Sequence, residues 1–157
     1  MARGARWRVL AVDISRVALE RSAALAAQAG PDVAARIAWR QADVNEWSPE
    51  ANAFNLVSAQ FMQQPAEVRD PLFCRLAAAV ALGGTLLIVG HHPSDLETTV
   101  RRPRGAGVLY APADVVALLD PRGWDVLVAA VRARSAVDPE GRTVTVHDTV
   151  VRAQRRV

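Results

Sequence analysis

The run Thr85-Leu86-Leu87-Ile88-Val89 is the strongest strand signal in the sequence, and the pair Gly83-Gly84 precedes it directly. The run is apolar from Leu86 onward and shows no polar alternation. Such a strand is typical of a parallel sheet that is covered on both faces by helices. We therefore predict a central parallel strand here, with a helix that ends at the glycine pair.

Three further apolar runs upstream predict strands. They cover residues 9–12, 37–40 and 54–60, and the second is the weakest. Asp13 follows the first run directly, and Asp43 lies shortly after the second. The sequence thus places an acid at the carboxyl end of two predicted strands.

Two helices are predicted between these strands. Ser15 can N-cap a helix that Gly30-Pro31 ends. Asp70 is a good N-cap and Pro71 suits the first helical position, so we expect the second long helix to begin there. Strands that alternate with helices indicate an α/β sheet with parallel pairing.

The last third of the chain has a different pattern. Residues 91–107 are polar and without periodicity, which predicts a loop or lid, and a short helix is expected over residues 112–119. Two strand-like runs, residues 124–131 and 143–151, are joined by the turn signal Asp138-Pro139-Glu140-Gly141. They predict a C-terminal antiparallel hairpin on an otherwise mostly parallel open sheet.

The length and the charge of the chain limit the number of domains and the classes of partner that we expect. The 157 residues suit one domain, which we expect to span residues 1–157. Nineteen basic against sixteen acidic residues give a net charge of +3, and every basic residue is Arg. These arginines are scattered and aromatic residues make up only 5% of the chain, whereas nucleic-acid-binding surfaces gather basic residues on one face. We expect no specific nucleic-acid partner.

Three other classes are also disfavoured. The longest uncharged apolar run, residues 76–90, is too short and too interrupted to span a bilayer. The apolar stretch after the basic N-terminus stops at Asp13, too early for a secretory signal. Cys74 is the only cysteine, so an internal disulfide and a Cys-rich zinc site are excluded. We expect a cytoplasmic protein without a membrane partner.

In order and spacing, these segments resemble class I S-adenosylmethionine-dependent methyltransferases, over most of the chain. Residues 9–15 resemble that family's second strand with its acid. Ala42-Asp43-Val44 resembles the acid that follows the third strand, and residues 54–58 resemble the fourth strand. Residues 82–89 resemble the join into the fifth strand, and Trp124-Asp125-Val126 the closing hairpin. The nearest group is the small-molecule enzymes of the tellurite-resistance and thiopurine type. The resemblance implies a Rossmann-like fold, S-adenosylmethionine as cofactor and a small-molecule methyl acceptor.

The resemblance also implies the residues that bind the cofactor. Asp13 would accept hydrogen bonds from both ribose hydroxyls, and Ile14 would lie against the adenine. Asp43 would accept from the adenine amino group while the backbone of Val44 reads the ring edge, and Gln60 would face the cofactor. Each has an ordinary structural alternative, namely a helix-starting or turn carboxylate, a core side chain, or a polar loop residue.

The pair His91-His92 follows the strongest strand directly. Ligands of open α/β sheets bind beyond the carboxyl ends of the strands. A neutral histidine there could orient or deprotonate a nucleophile, so both are candidate catalytic residues. The alternative is that they are loop histidines without a role. A metal site is disfavoured, because adjacent histidines point apart and no third ligand is suitably spaced.

The Gly-rich turn of the family, D/E-x-G-x-G-x-G, and the strand before it have no counterpart in this sequence. Residues 2–8 resemble the end of the helix after that turn, so we expect an N-terminally incomplete sequence whose reading frame continues upstream; the alternative is a reduced protein that lacks this unit. Without the first strand, residues 9–12 and 56–59 have unpaired edges. We therefore expect a split or closed-up sheet, a homodimer through these edges, weak cofactor binding and little turnover.

Other functions stay open at this point. A degenerate methyltransferase fold could bind a partner or a nucleoside without catalysis. A dinucleotide-dependent oxidoreductase would also use Asp13, but the absence of G-x-G-x-x-G, the second acid Asp43 and the hairpin count against it. Nucleic-acid methylation lacks its base-flipping signature, because the strand ends Ser58-Ala59-Gln60-Phe61.

Overall fold

The computed structural model describes residues 7–105 and 107–157. The chain divides into two compact units, Met1–Ser48 and Pro49–Val157. The described strands form one sheet in each unit. The expectation of a single domain over residues 1–157 stays a prediction, and the helix end predicted at residues 2–8 lies mostly outside the described residues.

The first unit is a small βαβ arrangement. It consists of strand β1 (Val9–Asp13), helix α1 (Arg16–Gln28), the short helix α2 (Pro31–Ala34) and strand β2 (Ile37–Gln41). The two strands pair in parallel from Val9 opposite Ile37 to Asp13 opposite Gln41. Parallel neighbours need a crossover connection, which α1 and α2 supply.

The start of α1 agrees with the sequence pattern. Ser15 is its N-cap, with extended backbone angles, and its hydroxyl accepts a hydrogen bond from Ala18 N at 3.2 Å. Gly30 follows the helix with φ of 123°, a conformation that a residue with a Cβ rarely adopts. Pro31 then occupies the first position of α2, which the sequence did not predict.

The second unit carries the larger sheet. Its elements are β3 (Phe54–Gln60), α3 (Ala66–Ala79), β4 (Val80–His91), a 3₁₀ helix (Pro93–Glu97), α4 (Pro112–Val116), β5 (Trp124–Val137) and β6 (Thr143–Arg155). The strand order is β3-β4-β6-β5. β3 and β4 are parallel, whereas β6 is antiparallel to both β4 and β5. The α/β class and the C-terminal hairpin are confirmed.

The boundaries of α3 differ from the prediction at both ends. The helix begins at Ala66, after Pro65, and Pro71 lies inside it. Asp70 does not cap the helix, because its carboxylate accepts from the Arg69 guanidinium at 2.7–2.8 Å. Pro71 lacks the amide that would bond one turn back, a loss that falls near the helix start.

The glycine pair lies inside β4 rather than at the end of α3, because the strand already begins at Val80. A Cβ on Gly84 would lie 2.8 Å from Ala81 O and 3.0 Å from Phe54 O, so only glycine fits. The pairing of β3 with β4 shifts register between Phe54 and Leu56. The pair therefore serves a close strand approach and not a helix end.

The core of the second unit is packed around Tyr110. Its ring meets Phe73 edge-to-face at 5.6 Å between centroids, and Arg69 lies 4.9 Å over the ring. Burial raises the pKa of Tyr110 to about 12. A Cβ on Gly90 would collide with the Tyr110 hydroxyl, so glycine is required there. Among the described residues, no helix is long and apolar enough to cross a membrane.

Candidate functional site

The two candidate carboxylates of the first unit lie at the same edge of its sheet. Asp13 is the last residue of β1, and Asp43 follows β2, its parallel neighbour. Ala42 N donates to Asp13 O at 3.1 Å, which ties the two strand ends together. The carboxyl edge of this sheet thus carries both acids.

Asp13 has a structural role that leaves room for a second one. Its Oδ1 accepts from Ser15 N at 2.7 Å, so the carboxylate does help to start α1. The residue is exposed, and that bond engages one of two carboxylate oxygens. The structural alternative and the ribose-binding role are therefore compatible.

The other candidates of this unit lie beside it. Asp43 Oδ1 accepts from Asn45 N at 2.9 Å, which is the turn role that was its alternative. Ile14 is 64% exposed, so it is not a core side chain, and its carbonyl accepts from Gln41 Nε2 at 3.2 Å. Val44 is half-buried next to Asp43. The structure brings Asp13, Ile14, Asp43 and Val44 together at one edge.

A second set of candidates lies at the carboxyl ends of β3 and β4. Gln60 ends β3 and is exposed, and its Nε2 donates to Ser58 Oγ at 3.3 Å. Phe61 N then donates to Val89 O at 2.7 Å. Phe61 has φ of 55°, which is unusual for a bulky residue. Its ring lies 4.7 Å from that of His91, between centroids.

His91 is held from several sides. Its Nδ1 is buried, lies 3.6 Å from Asp148 Oδ1, and has no hydrogen-bond partner among the described residues. The amide of Gln63 is oriented so that its nitrogen donates to Val108 O at 2.7 Å and its oxygen accepts from His91 N at 2.9 Å. Burial, then the charge of Arg102, lower the pKa of His91 below its ordinary value of 6.5 despite Asp148. The imidazole is therefore neutral at neutral pH.

The carboxylate beside His91 is fixed by an arginine. Arg134 Nε donates to Asp148 Oδ2 at 2.6 Å and its Nη2 to Oδ1 at 3.3 Å. In the hairpin register, Asp148 of β6 lies opposite both His91 of β4 and Arg132 of β5. The pairing of the strands thus places an ion pair against the imidazole.

His92 has a different set of partners. Its Nδ1 accepts from Ser94 N at 3.2 Å, which caps the 3₁₀ helix, and lies 2.9 Å from Ser94 Oγ. The same Oγ lies 3.3 Å from Nδ1 of His147. The sequence contains three histidines, and all of them lie at this edge of the second unit.

A buried ion pair anchors the segment that the sequence predicts to be a loop or lid. Asp95 is fully buried, and its Oδ2 accepts from Arg102 at 2.8–2.9 Å. Its Oδ1 accepts from His147 N at 2.7 Å. Because both oxygens are satisfied, the cost of burying this charge is offset. Residues 93–97 thus form an anchored 3₁₀ helix within the predicted loop.

Sequence reasoning missed Ser94, Asp95, Arg102 and His147. The only sequence signal for His147 was the alternation of Thr and Val in the last strand, where a histidine and an aspartate interrupt it. Its contacts depend on the register between β4 and β6, which no local pattern fixes. Within the described residues, no group of three or more His, Cys, Asp or Glu side chains is arranged to hold a metal ion.

Comparison with known proteins gives one family. The family profile described as a methyltransferase domain matches residues 1–84, which is more than half of the 157 residues. No curated protein matches the chain in sequence.

Solved structures share the fold at low identity. TehB from Haemophilus influenzae has a TM-score of 0.71 at 14% identity, and covers 94% of this chain and 49% of its own. The N-methyltransferase NodS from Bradyrhizobium japonicum WM9 has a TM-score of 0.67 at 14% identity, with coverages of 96% and 74%. A structure from echinomycin biosynthesis, on the conversion of a disulfide bond into a thioacetal group, has a TM-score of 0.68 at 12% identity, with coverages of 94% and 66%. The chain spans about two thirds of that protein and about half of TehB.

Proposed function

The chain belongs to the methyltransferase-domain family, and from this premise we propose that it acts in methyl transfer from S-adenosylmethionine to a small-molecule acceptor. The observation that carries the proposal is the placement of Asp13 and Asp43 at the carboxyl ends of two parallel strands. A nucleoside offers hydroxyl and amino donors, and carboxylates at such an edge accept from them. NodS, which shares the fold, was solved in complex with S-adenosyl-L-homocysteine.

The residues of the first unit serve the adenosine half. Asp13 accepts from the ribose hydroxyls with the carboxylate oxygen that Ser15 N does not use. Ile14, an exposed apolar side chain beside it, covers the adenine. Asp43 and the backbone of Val44 read the edge of that ring. This division gives each of the four residues a group that matches its chemistry.

The residues of the second unit serve the acceptor. The bound cofactor supplies an activated methyl group on a sulfonium, so the protein has to orient the acceptor and remove its proton. His91 is neutral and can take that proton. His92 holds the acceptor, a kind of positioning that accounts for ~7–11 kcal/mol of a barrier, while Gln60 faces the cofactor.

The alternative is a non-catalytic methyltransferase-fold module. Such a module would bind a nucleoside at the carboxylate edge of the first unit, where Asp13 is exposed, without transferring a methyl group. On either alternative we place the protein in the cytoplasm. Two copies associate through the outer edges of β1 and β3, which are edge strands of their sheets. Analytical ultracentrifugation would test for this dimer.

The decisive experiment is calorimetry with S-adenosylhomocysteine. Asp13→Ala removes a charge-assisted acceptor worth about 1.5–3 kcal/mol, so its affinity should fall about 10- to 150-fold. Asp32→Ala is the matched control, because Asp32 is an exposed acid on α2 of the same unit, and it should bind as the wild type does.

Three outcomes separate the alternatives. Binding that depends on Asp13, together with methylation of a small thiol, amine or oxyanion, supports the enzyme. The same binding without methylation of any of these acceptors supports the non-catalytic module. Equal affinities of the wild type and Asp13→Ala, or no binding by the wild type, would contradict the assigned cofactor site.

A further inference from the structure

The bonds around His92 determine where its ring proton lies. A backbone amide is only ever a donor, and Ser94 N points at His92 Nδ1 at 3.2 Å. Nδ1 must therefore present its lone pair. In the neutral ring the proton then lies on the opposite nitrogen, Nε2.

The hydroxyl of Ser94 extends this argument to a second histidine. Ser94 Oγ lies 2.9 Å from His92 Nδ1, and two lone pairs at that distance repel, so the hydroxyl donates to this nitrogen. Its single proton is then used. Toward His147 Nδ1, at 3.3 Å, Oγ can only accept, so His147 carries its proton on Nδ1. The two rings hold opposite tautomers.

The backbone fixes this arrangement in place. His92 N donates to His147 O at 3.0 Å, and His147 N donates to the buried Asp95 at 2.7 Å. Asp95 is neutralised by Arg102, and its Oδ1 lies 3.9 Å from His147 Nδ1, beyond hydrogen-bond range. The neighbouring charges, Asp148 and Arg134, are paired with each other. No carboxylate therefore competes with Ser94 for the His147 ring proton.

We propose that the backbone amide of Ser94 keeps His92 in the Nε2–H tautomer and that the Ser94 hydroxyl sets the opposite tautomer in His147, so that His92 binds the methyl acceptor as a hydrogen-bond donor and not as a base. The tautomer stands independently, and its use rests on the proposed function. A donor at Nε2 suits a hydroxyl or thiol acceptor, whose oxygen or sulfur lone pair can accept this hydrogen bond. Removal of a proton is then the task of His91 alone.

Nitrogen NMR of histidine-labelled protein tests the tautomers directly, without cofactor or turnover. Because the chain has only three histidines, the variants His91→Gln and His92→Gln assign the signals. At a pH where the rings are neutral, we expect His92 to show a lone-pair Nδ1 and a protonated Nε2, and His147 to show the reverse. The same tautomer on both rings, or a proton on Nδ1 of His92, would overturn the proposal.

Substitutions of Ser94 separate positioning from a merely structural role. Ser94→Ala keeps the backbone donor to His92 but removes the hydroxyl, so His92 should keep its tautomer while His147 loses its preference for Nδ1–H. Ser94→Thr keeps the hydroxyl and should restore both tautomers. Ser135→Ala, on the exposed face of β5, is the matched control and should change neither. An unchanged His147 in Ser94→Ala, with the fold intact, would refute the relay. Failure of cofactor binding alone would leave the tautomers standing and count only against the proposed function.

Discussion

The two units of the chain are packed to very different degrees. In Met1–Ser48 the buried apolar side chains among the described residues are Leu19 and Ala26, and both keep 8–9% exposure. In Pro49–Val157 a continuous core surrounds Tyr110 and Phe73, covered by a four-stranded sheet. A two-stranded sheet is marginally stable by itself. The candidate nucleoside residues thus lie on the less stabilised unit, and the histidines on the more stabilised one.

This difference bears on how each set can act. The histidine edge is held by ion pairs and by backbone hydrogen bonds, so its geometry is set before a ligand binds. The carboxylate edge depends on a short βαβ arrangement that exposes Val9, Val17 and Leu25. If a ligand has to order that edge on binding, the free energy of ordering reduces the affinity. This agrees with the weak cofactor binding that we expect.

Matched leucine truncations should show the contrast most strongly. Leu72 on α3 is 1% exposed and Leu25 on α1 is 65% exposed. We expect Leu72→Ala to lower the free energy of unfolding by about 2–5 kcal/mol because it leaves a cavity. Leu25→Ala should stay within about 0.5 kcal/mol of the wild type. Urea denaturation measures both, and equal losses would show that Leu25 is packed as tightly as Leu72.

A pair of glycines tests how tightly the second unit is filled. An added Cβ at Gly90 would meet the Tyr110 ring, whereas at Gly123 the nearest atoms lie 3.8 Å away. Gly90→Ala should therefore cost about 1–3 kcal/mol of stability through overpacking, and Gly123→Ala should cost little. The same denaturation assay applies. If Gly90→Ala unfolds at the wild-type urea concentration, the Tyr110 core is looser than the structure indicates.

Much of the fold could be predicted from local patterns. The order of strands and helices, the Ser15 cap and the C-terminal hairpin all follow from apolar periodicity and turn residues, which act over a few positions. The start of α3 could not, because the capping pattern at Asp70-Pro71 competes with the buried contacts of Arg69, whose guanidinium donates to Gly107 O at 2.7 Å. Tertiary packing outweighs the local signal there.

The candidate site was predictable only in part. Residues placed at strand ends by the α/β architecture, such as Asp13 and His91, could be named from position. The partners that decide their chemistry lie far away in sequence: Asp148 beside His91, and His147 beside Ser94. These depend on strand register, and a shift of one residue would turn each side chain to the other face of the sheet.

Acid should destabilise the second unit through Asp138 in the β5–β6 turn. Burial alone would raise the pKa of this carboxyl, but hydrogen bonds from Thr99 and Arg142 hold it well below its usual value of 3.8. Stability from this group is therefore present above the unfolded-state pKa and is lost as the pH falls below it. Asp138→Asn should flatten the loss of stability between pH 4 and pH 2. Asp32→Asn, on exposed α2, should leave the profile unchanged, and equal profiles for both variants would refute the assignment.

The smallest effect expected is a pH dependence near neutrality that belongs to the second unit, since all three histidines lie there. Burial and Arg102 place the pKa of His91 below 6.5. The folded state thus binds fewer protons than the unfolded chain at pH values just under 6.5, and stability present above that pH falls as the pH is lowered. An NMR titration of the His91 imidazole should show its midpoint below 6.5. Arg102→Gln would remove the nearby charge, but it would also leave the buried Asp95 carboxylate without its guanidinium partner. Phe61→Leu is the cleaner comparison, because it alters the ring packed against His91, and it should leave the midpoint below 6.5. A midpoint at or above 6.5 in the wild type would contradict the effect assigned to burial and Arg102.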